Sequence, residues 1–178
     1  MNPKYLGDSY DIVKRFFCSV FQELGYEITV DPMFTGNWAD EGKSFYNFLG
    51  TNNQKNILAK SNMKALFIDP DTGVNHRGGK QHVPFQRLID ESHKYQIVFS
   101  FDQSFSRQED SNKIMNDKLK EVLRLGGYGM YYDSHARFIF VSATKDELLK
   151  LRDHLLNIGL PNNRLVECGT GFFNEYIG

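Results

Sequence analysis

The chain has 178 residues, a formal net charge of −1 and 40% hydrophobic residues, which is typical of one compact domain rather than two. The nearly neutral charge does not favour a protein that wraps DNA by bulk positive charge, although a local basic strip remains compatible with it. No run approaches the ~20 apolar residues of a membrane-spanning helix, and the polar N-terminus lacks a signal-peptide core, so we expect a cytoplasmic protein without a membrane partner.

Cysteine and aromatic content add two further expectations. Cys18 and Cys168 have no metal-type spacing, so they predict reduced structural thiols rather than a disulfide framework. Aromatic residues form 14% of the chain, which is more than a core of this size needs. We therefore expect some of the rings to lie in a groove or an interface.

The first predicted helix begins after Asp8 or Ser9, either of which can cap it, and ends at Gly25. Its apolar residues recur at helical spacing, which is typical of a helix buried along one face. These residues are Ile12, Val13, Phe16, Phe17, Val20, Phe21 and Leu24.

Three apolar runs share one design, a β-strand that ends on an aspartate and passes into a turn. They are Glu27 to Asp31, Ala65 to Asp69 and Ile97 to Asp102. In parallel-sheet α/β domains the ligand crevice lies beyond the carboxyl ends of the strands. We therefore expect the three strands to be parallel and adjacent, with their acids at one edge of the sheet.

Helices and turns connect these strands. A short helix over 44–49 follows the first strand, and a glycine-rich surface loop over 70–80 follows the second. A helix near 83–93 precedes the third strand, and a long charged helix near 108–125 follows it.

The C-terminal part predicts a β-hairpin and a last helix. Segments 128–132 and 137–141 alternate in the manner of two strands, and we place this hairpin at the edge of the sheet. One face would carry Phe138 and Phe140, and the other Ile139 and Val141. Thr144 to Glu147 is a capping box for the last helix. Strands that alternate with helices predict an α/β fold, namely a three-layer sandwich with a mainly parallel sheet of about five strands and an antiparallel edge hairpin.

Two short motifs resemble those of class I, Rossmann-like methyltransferase domains. They are Val30-Asp-Pro-Met-Phe-Thr-Gly36, similar to the family's strand-one acid and glycine loop, and Phe67-Ile-Asp-Pro-Asp71, similar to its Asp-Pro-Pro-Tyr motif. The resemblance is greatest to compact domains related to three-Cys-motif partner proteins and to ribosomal RNA adenine methyltransferases. It covers roughly residues 8–158 and implies a single Rossmann-like α/β domain over 1–178.

The resemblance also implies site residues and a cofactor. Asp31, Thr35 and Gly36 would bind S-adenosylmethionine, and Asp69 and Asp71 would position the amine of a nucleic acid or nucleotide. The domain would then be a methyltransferase-like enzyme or a degenerate relative of one.

The same aspartates allow other functions. Asp31, Asp69, Asp71 and Asp102 could hold one or two Mg²⁺ ions in a phosphodiesterase or nuclease, because carboxylate oxygens are the ligands that Mg²⁺ prefers. Asp69 and Asp71, which we expect to be exposed, could instead form an Asx turn. A non-catalytic interaction module that uses the surplus aromatic residues is the third possibility.

Two further segments carry candidate residues. Ser104 or Ser106 could cap the long helix and leave backbone N–H groups facing an anion, with Arg107 binding phosphate, although an Asp and a Ser ahead of a helix are more often plain caps. His135, in the hairpin turn, is a candidate catalytic proton shuttle or base contact, and an ordinary turn is the alternative.

The glycine-rich loop is a third candidate segment. His76, Arg77 and Lys80 make it locally basic, which suits phosphate contacts or simply a solvated loop.

Overall fold

The computed structural model describes residues 3–35, 37–38, 41–51, 63–105 and 110–168. In this part of the chain the helices are α1 (Ser9–Glu23), α2 (Glu41–Leu49), α3 (Phe85–Ser92), α4 (Ser111–Arg124) and α5 (Lys145–Asn157). The strands are β1 (Glu27–Asp31), β2 (Lys64–Ile68), β3 (Gly73–Asn75), β4 (His82–Pro84), β5 (Ile97–Phe101), β6 (Tyr128–Tyr132), β7 (Phe138–Ser142) and β8 (Leu165–Glu167). None of these helices has the length and apolar character needed to cross a membrane.

Six of the strands form one mixed sheet in the order β1-β2-β5-β7-β6-β8. The pairings β1–β2 and β2–β5 are parallel, whereas β5–β7, β7–β6 and β6–β8 are antiparallel. The prediction of a mainly parallel sheet is therefore wrong, although the α/β class is confirmed. The direction changes because the hairpin inserts its second strand, β7, directly beside β5, and hairpin strands run antiparallel to each other.

We had predicted that the hairpin lies at the edge of the sheet, and this prediction is wrong. β8 pairs with β6 and forms the outer strand on that side. This strand escapes sequence analysis because Leu165–Glu167 is too short to show an alternating pattern. The predicted faces of β7 are confirmed, since Phe138 and Phe140 belong to one core cluster and Ile139 and Val141 to the other.

Helices cover both faces of the sheet. The first core cluster joins α1, α2 and α5 to side chains such as Phe67 and Phe99, and the second joins α3 and α4 to side chains such as Leu66 and Val98. Neighbouring residues of one strand enter opposite clusters, as the period of two in a β-strand requires. Much of the aromatic surplus is in the first cluster, where Phe67 and Phe99 stack with ring centroids 4.8 Å apart.

Helix starts depend on capping side chains, and only some of these match the sequence analysis. Asp8 caps α1, because its Oδ1 accepts hydrogen bonds from the backbone N–H groups of Tyr10 (2.9 Å) and Asp11 (3.0 Å). α4 is capped by Asp110 rather than by Ser104. Thr144 occupies the N-cap of α5, but its side chain makes no capping hydrogen bond with the described residues.

The segment after β2 is more ordered than the predicted surface loop. Within it β3 and β4 form a small parallel sheet of two strands. The backbone N–H of Gln103 donates to the carbonyl of Thr72 (2.8 Å), which ties this segment to the end of β5. The turns that follow β2 and β5 are thus held together at one edge of the main sheet.

Candidate functional site

Three aspartates lie at that edge, because their strands are parallel neighbours. Asp31 is level with Ile68 in the β1–β2 register, and the N–H of Asp69 donates to the carbonyl of Asp31 (2.9 Å). Ile68 is in turn level with Ser100 in β5, two residues before Asp102. The predicted alignment of the three strands and their acids is confirmed. The three carboxylates nevertheless have different surroundings.

Asp102 is wholly buried and accepts hydrogen bonds on both oxygens. Its Oδ1 accepts from the N–H of Val74 (3.0 Å) and from the N–H (3.1 Å) and hydroxyl (2.6 Å) of Ser104. Its Oδ2 accepts from Lys118 Nζ (2.6 Å) and from the hydroxyl of Tyr131 (2.5 Å). Because these donors occupy the carboxylate, its geometry is that of a structural brace between β3, β5, β6 and α4.

The partners of Asp102 are perturbed by the same burial. Burial raises the pKa of Tyr131 well above its ordinary value, and the negative charge of Asp102 adds to this rise. Burial also lowers the pKa of Lys118, against the attraction of Asp102. Both shifts follow from the burial of this network.

Asp31 braces the loop that follows β1. Its Oδ2 accepts a hydrogen bond from the guanidinium of Arg87, and its Oδ1 accepts one from the N–H of Met33 (3.2 Å). Met33 has a positive φ of 42°, which is uncommon for a residue other than glycine. The neighbouring Thr35 donates to the carboxylate of Asp71. Gly36, the third predicted cofactor residue, lies outside the described residues.

A cavity of about 490 Å³ opens beside this edge, between the start of α1 and the turns that follow β2 and β5. It is lined by Tyr5, Asp8, Tyr10, Asp11, Lys14, Pro70, Asp71, Phe101 and Gln103. The lining therefore combines three aromatic rings, three carboxylates and one ammonium group. Of the predicted site residues, Asp71 is the one that this lining contains.

A buried ionic cluster forms one side of the cavity. Lys14 Nζ donates to Asp11 Oδ1 (2.8 Å) and to Asp69 Oδ2 (3.0 Å). The three residues are 4%, 2% and 0% exposed, respectively, so Asp69 is not the exposed acid that we had expected. Two carboxylates share one cation, which leaves the cluster one negative charge in excess when every group is ionised.

Burial and the charges within the cluster both change the ionisation of its members. Burial raises the pKa of Asp69 to about 6, and the nearby charge of Lys14 only partly opposes this rise. Burial lowers the pKa of Lys14, but the charges of Asp69 and Asp11 outweigh it, so that this pKa is raised overall. Asp69 Oδ1 has no hydrogen-bond partner among the described residues. The cluster can therefore hold a proton on Asp69 more readily than an exposed carboxylate can.

The predicted anion site at the start of α4 is not assembled in the described part of the chain. Ser104 is engaged with Asp102, and the carboxylate of Asp110 accepts from the N–H of Asn112 (2.9 Å), at the position where an anion would bind. Ser106 and Arg107 lie outside the described residues.

His135 is exposed and does not belong to the cavity lining, although it contacts two residues that do. Its predicted catalytic role remains a prediction.

A second, more open concavity of about 440 Å³ lies near the first. It is lined by Thr35, Gly78, Gly79, Lys80, Gln81 and His82. The hydrogen bond from Thr35 to Asp71 joins the two linings, since each residue belongs to one of them. Of the three basic residues predicted for the glycine-rich loop, Lys80 belongs to this second lining, next to the acidic cavity.

The sequence analysis did not single out Asp11, Lys14, Tyr10 or Gln103. The first two carry a recognisable signal, because they lie three residues apart on the buried face of α1, in line with Cys18. Charged residues on such a face are rarely buried unless they are paired. Gln103 gives no such signal, because its position at the cavity depends on tertiary contacts.

The fold and the site define a mixed α/β protein with an aromatic and acidic cavity at the carboxyl edge of its parallel strands. Within the described ranges, His, Cys, Asp and Glu side chains form no group of three or more that could hold a metal ion. Comparisons with the models of known families, with curated proteins and with solved structures find no match to this chain.

Proposed function

We propose that this chain is a Rossmann-like, three-layer α/β domain whose cavity binds an organic cation rich in hydrogen-bond donors. The cation that we propose is S-adenosylmethionine, which supplies an electrophilic methyl group when bound. The reaction that we propose is methyl transfer to a nucleotide or a nucleic acid. The observation that carries the proposal is the combination of three aromatic rings and three carboxylates among the described residues that line one cavity.

The charges of the lining favour a cation. Asp8, Asp11 and Asp71 face one ammonium group, that of Lys14, which is already paired with Asp11 and with the buried Asp69. Among the described residues of the lining the carboxylates outnumber the ammonium group three to one, which disfavours an anionic ligand. The volume of about 490 Å³ lies within the range of about 300–1,000 Å³ that is common for small-molecule sites.

The aromatic rings strengthen this preference. Tyr5, Tyr10 and Phe101 all belong to the lining, and the faces of aromatic rings attract cations. Lys14 Nζ already lies 5.0 Å from the centroid of Phe101. A flat heterocycle with a nearby positive charge, such as the adenine and sulfonium of S-adenosylmethionine, suits a lining of this kind.

The cofactor contacts that we propose differ from those that the sequence motif implied. Asp31 is engaged with Arg87, whereas Asp71 belongs to both the cavity lining and the boundary with the second concavity. We assign Asp71 to the junction between cofactor and methyl acceptor. We assign contacts with phosphate groups of the acceptor to Lys80 and His82, which line the second concavity.

Calorimetry with three adenine compounds tests the proposal. S-adenosylmethionine should bind, S-adenosylhomocysteine, which lacks the sulfonium charge, should bind more weakly, and ATP should bind weakest. Asp71→Asn should reduce S-adenosylmethionine affinity by roughly tenfold, or about 1.4 kcal/mol. The amide can still accept the hydrogen bond of Thr35, so that the change is mainly one of charge.

Asp117→Asn is the matched control, because Asp117 is an exposed carboxylate on α4 outside the cavity lining. It should leave all three affinities unchanged. Tighter binding of ATP than of S-adenosylmethionine would overturn the assignment of a cation site. The protein is then incubated with methyl-labelled S-adenosylmethionine and either nucleotides or oligonucleotides, and the compound that becomes labelled is the acceptor.

A further inference from the structure

The turn between β6 and β7 is fixed beside the cavity, although it does not belong to the lining. β7 runs antiparallel to β5 with Phe138 level with Phe101, so that the turn lies where β5 ends. The N–H of Asp102 donates to the carbonyl of Arg137 (2.9 Å), which continues the pairing into the turn. Arg137 Nε in turn donates to Asp133 Oδ1 (2.9 Å), and this ion pair closes the turn.

His135, at the tip of this turn, holds two lining residues. Its ring stacks on Tyr10 with centroids 5.2 Å apart and an interplanar angle of 22°, and its Nε2 lies 2.8 Å from the Tyr10 hydroxyl. Its backbone carbonyl accepts a hydrogen bond from Gln103 Nε2 (2.6 Å). Tyr10 and Gln103 come from distant parts of the chain, and His135 fixes them relative to each other.

These contacts determine which groups the two side chains can offer to a ligand. A carbonyl only accepts, so the amide nitrogen of Gln103 must be the atom that faces His135, and Oε1 remains as an acceptor. In the neutral tautomer that carries its proton on Nδ1, His135 Nε2 accepts a hydrogen bond from the Tyr10 hydroxyl, and the tyrosine oxygen is then left as an acceptor. Both residues would present acceptors beside the carboxylates of the lining.

We propose that His135 is a positioning residue that keeps Tyr10 as a hydrogen-bond acceptor and thereby sets the preference of the cavity for donor-rich ligands. This inference rests on the proposed function only in assuming that the cavity binds a donor-rich cation. It does not depend on the identity of that cation or on methyl transfer.

A pair of small aromatic probes tests the inference without S-adenosylmethionine. Benzamidine carries several N–H donors and a positive charge, whereas acetophenone has a similar flat shape and only an acceptor. NMR titration of the wild-type protein should show tighter binding of benzamidine. His135→Ala should reduce benzamidine affinity about fivefold, the effect of about one net hydrogen bond, and leave acetophenone affinity unchanged.

Three variants separate positioning from a general loss of structure. His135→Gln retains an acceptor that can reach the tyrosine hydroxyl and should recover most of the benzamidine affinity. Tyr10→Phe should remove the same preference, and adding His135→Ala to it should have little further effect, because the two residues act as one unit. His93→Ala, at an exposed histidine that follows α3, is the matched control and should change neither affinity.

The outcomes distinguish this inference from the proposed function. Benzamidine affinity within twofold of the wild-type value in His135→Ala would overturn the positioning role. An equal loss of both probes would also overturn it, because a disrupted cavity would affect both. Preferential, His135-dependent binding of benzamidine without binding of S-adenosylmethionine would support the positioning role and overturn the assigned cofactor.

Discussion

Gly73 lies against Asp102 so closely that a β-carbon on the glycine would stand 2.0 Å from Asp102 Oδ1 and 2.9 Å from Asp102 Cα. The contact allows the next residue, Val74, to donate its N–H to that same carboxylate oxygen (3.0 Å). It joins the segment after β2 to the end of β5. Asp71 and Gln103 reach one cavity because these two turns are joined here.

Replacement of Gly73 by alanine tests this contact. Gly73→Ala should lower the free energy of unfolding by about 3 kcal/mol, because the added methyl group displaces the Asp102 carboxylate from its donors. Gly79→Ala is the matched control, since the two glycines have nearly equal φ values of +133° and +136° but no atom lies within 4 Å of a β-carbon on Gly79. It should cost about 1 kcal/mol from backbone strain alone. Urea unfolding measures both, and equal losses would contradict the close-contact explanation.

Removal of the Asp102 carboxylate should be among the most destabilising single changes in this protein. Asp102→Ala leaves the buried hydroxyl of Tyr131 without this acceptor and removes the counter-charge of the Lys118 ammonium, which keeps only its hydrogen bond to the hydroxyl of Ser104 among the described residues. We expect a loss of about 3–5 kcal/mol in the free energy of unfolding. The exposed Asp117→Ala should change it by no more than about 0.5 kcal/mol. A small effect at Asp102, measured by chemical denaturation, would show that water replaces the lost partner.

The raised pKa of Asp69 predicts a specific dependence of stability on pH. The folded-state pKa of about 6 exceeds the ordinary value of 3.8, so the folded protein binds this proton more tightly than the unfolded chain does. Its contribution to stability is complete below pH 3.8 and is lost as the pH rises through about 6. The loss should be on the order of 1–3 kcal/mol.

Asp69→Asn removes this titration and keeps the shape of the side chain. We measure the free energy of unfolding of both proteins between pH 4 and 7. As the pH rises, the wild type should lose stability relative to the variant. A constant difference over the whole window would contradict the raised pKa. Other carboxylates titrate in both proteins and cancel in the comparison.

The two cysteines should differ in their reaction with thiol reagents. Cys18 is fully buried, and burial raises the pKa of its thiol beyond the physiological range. Cys168 is partly exposed, and burial raises its pKa as well. Iodoacetamide at pH 8 should therefore label Cys168 first and Cys18 only as the protein unfolds. Mass spectrometry of native and urea-treated samples distinguishes the sites, and early labelling of Cys18 would contradict its burial.

Local features of the sequence were sufficient for the helices and for the three strands that end in aspartate. α1 was correctly bounded because its cap at Asp8 and its apolar spacing are properties of neighbouring residues. The alignment of Asp31, Asp69 and Asp102 followed from the shared pattern of their strands. The faces of β7 followed from strict alternation over Phe138–Ser142.

Only the tertiary structure decided what each of these acids does. Asp69 meets Lys14, 55 positions away, and Asp102 meets Lys118 and Tyr131, 16 and 29 positions away. A pattern of neighbouring residues contains no information on such partners. The three strand ends look alike in sequence, yet Asp69 joins an ionic cluster, Asp31 braces a loop and Asp102 accepts hydrogen bonds on both oxygens. The mixed direction of the sheet has the same cause, since β7 and β8 take their places through long-range pairing with β5 and β6. The pairing of strands distant in sequence depends on the packing of the whole core, which local periodicity does not specify.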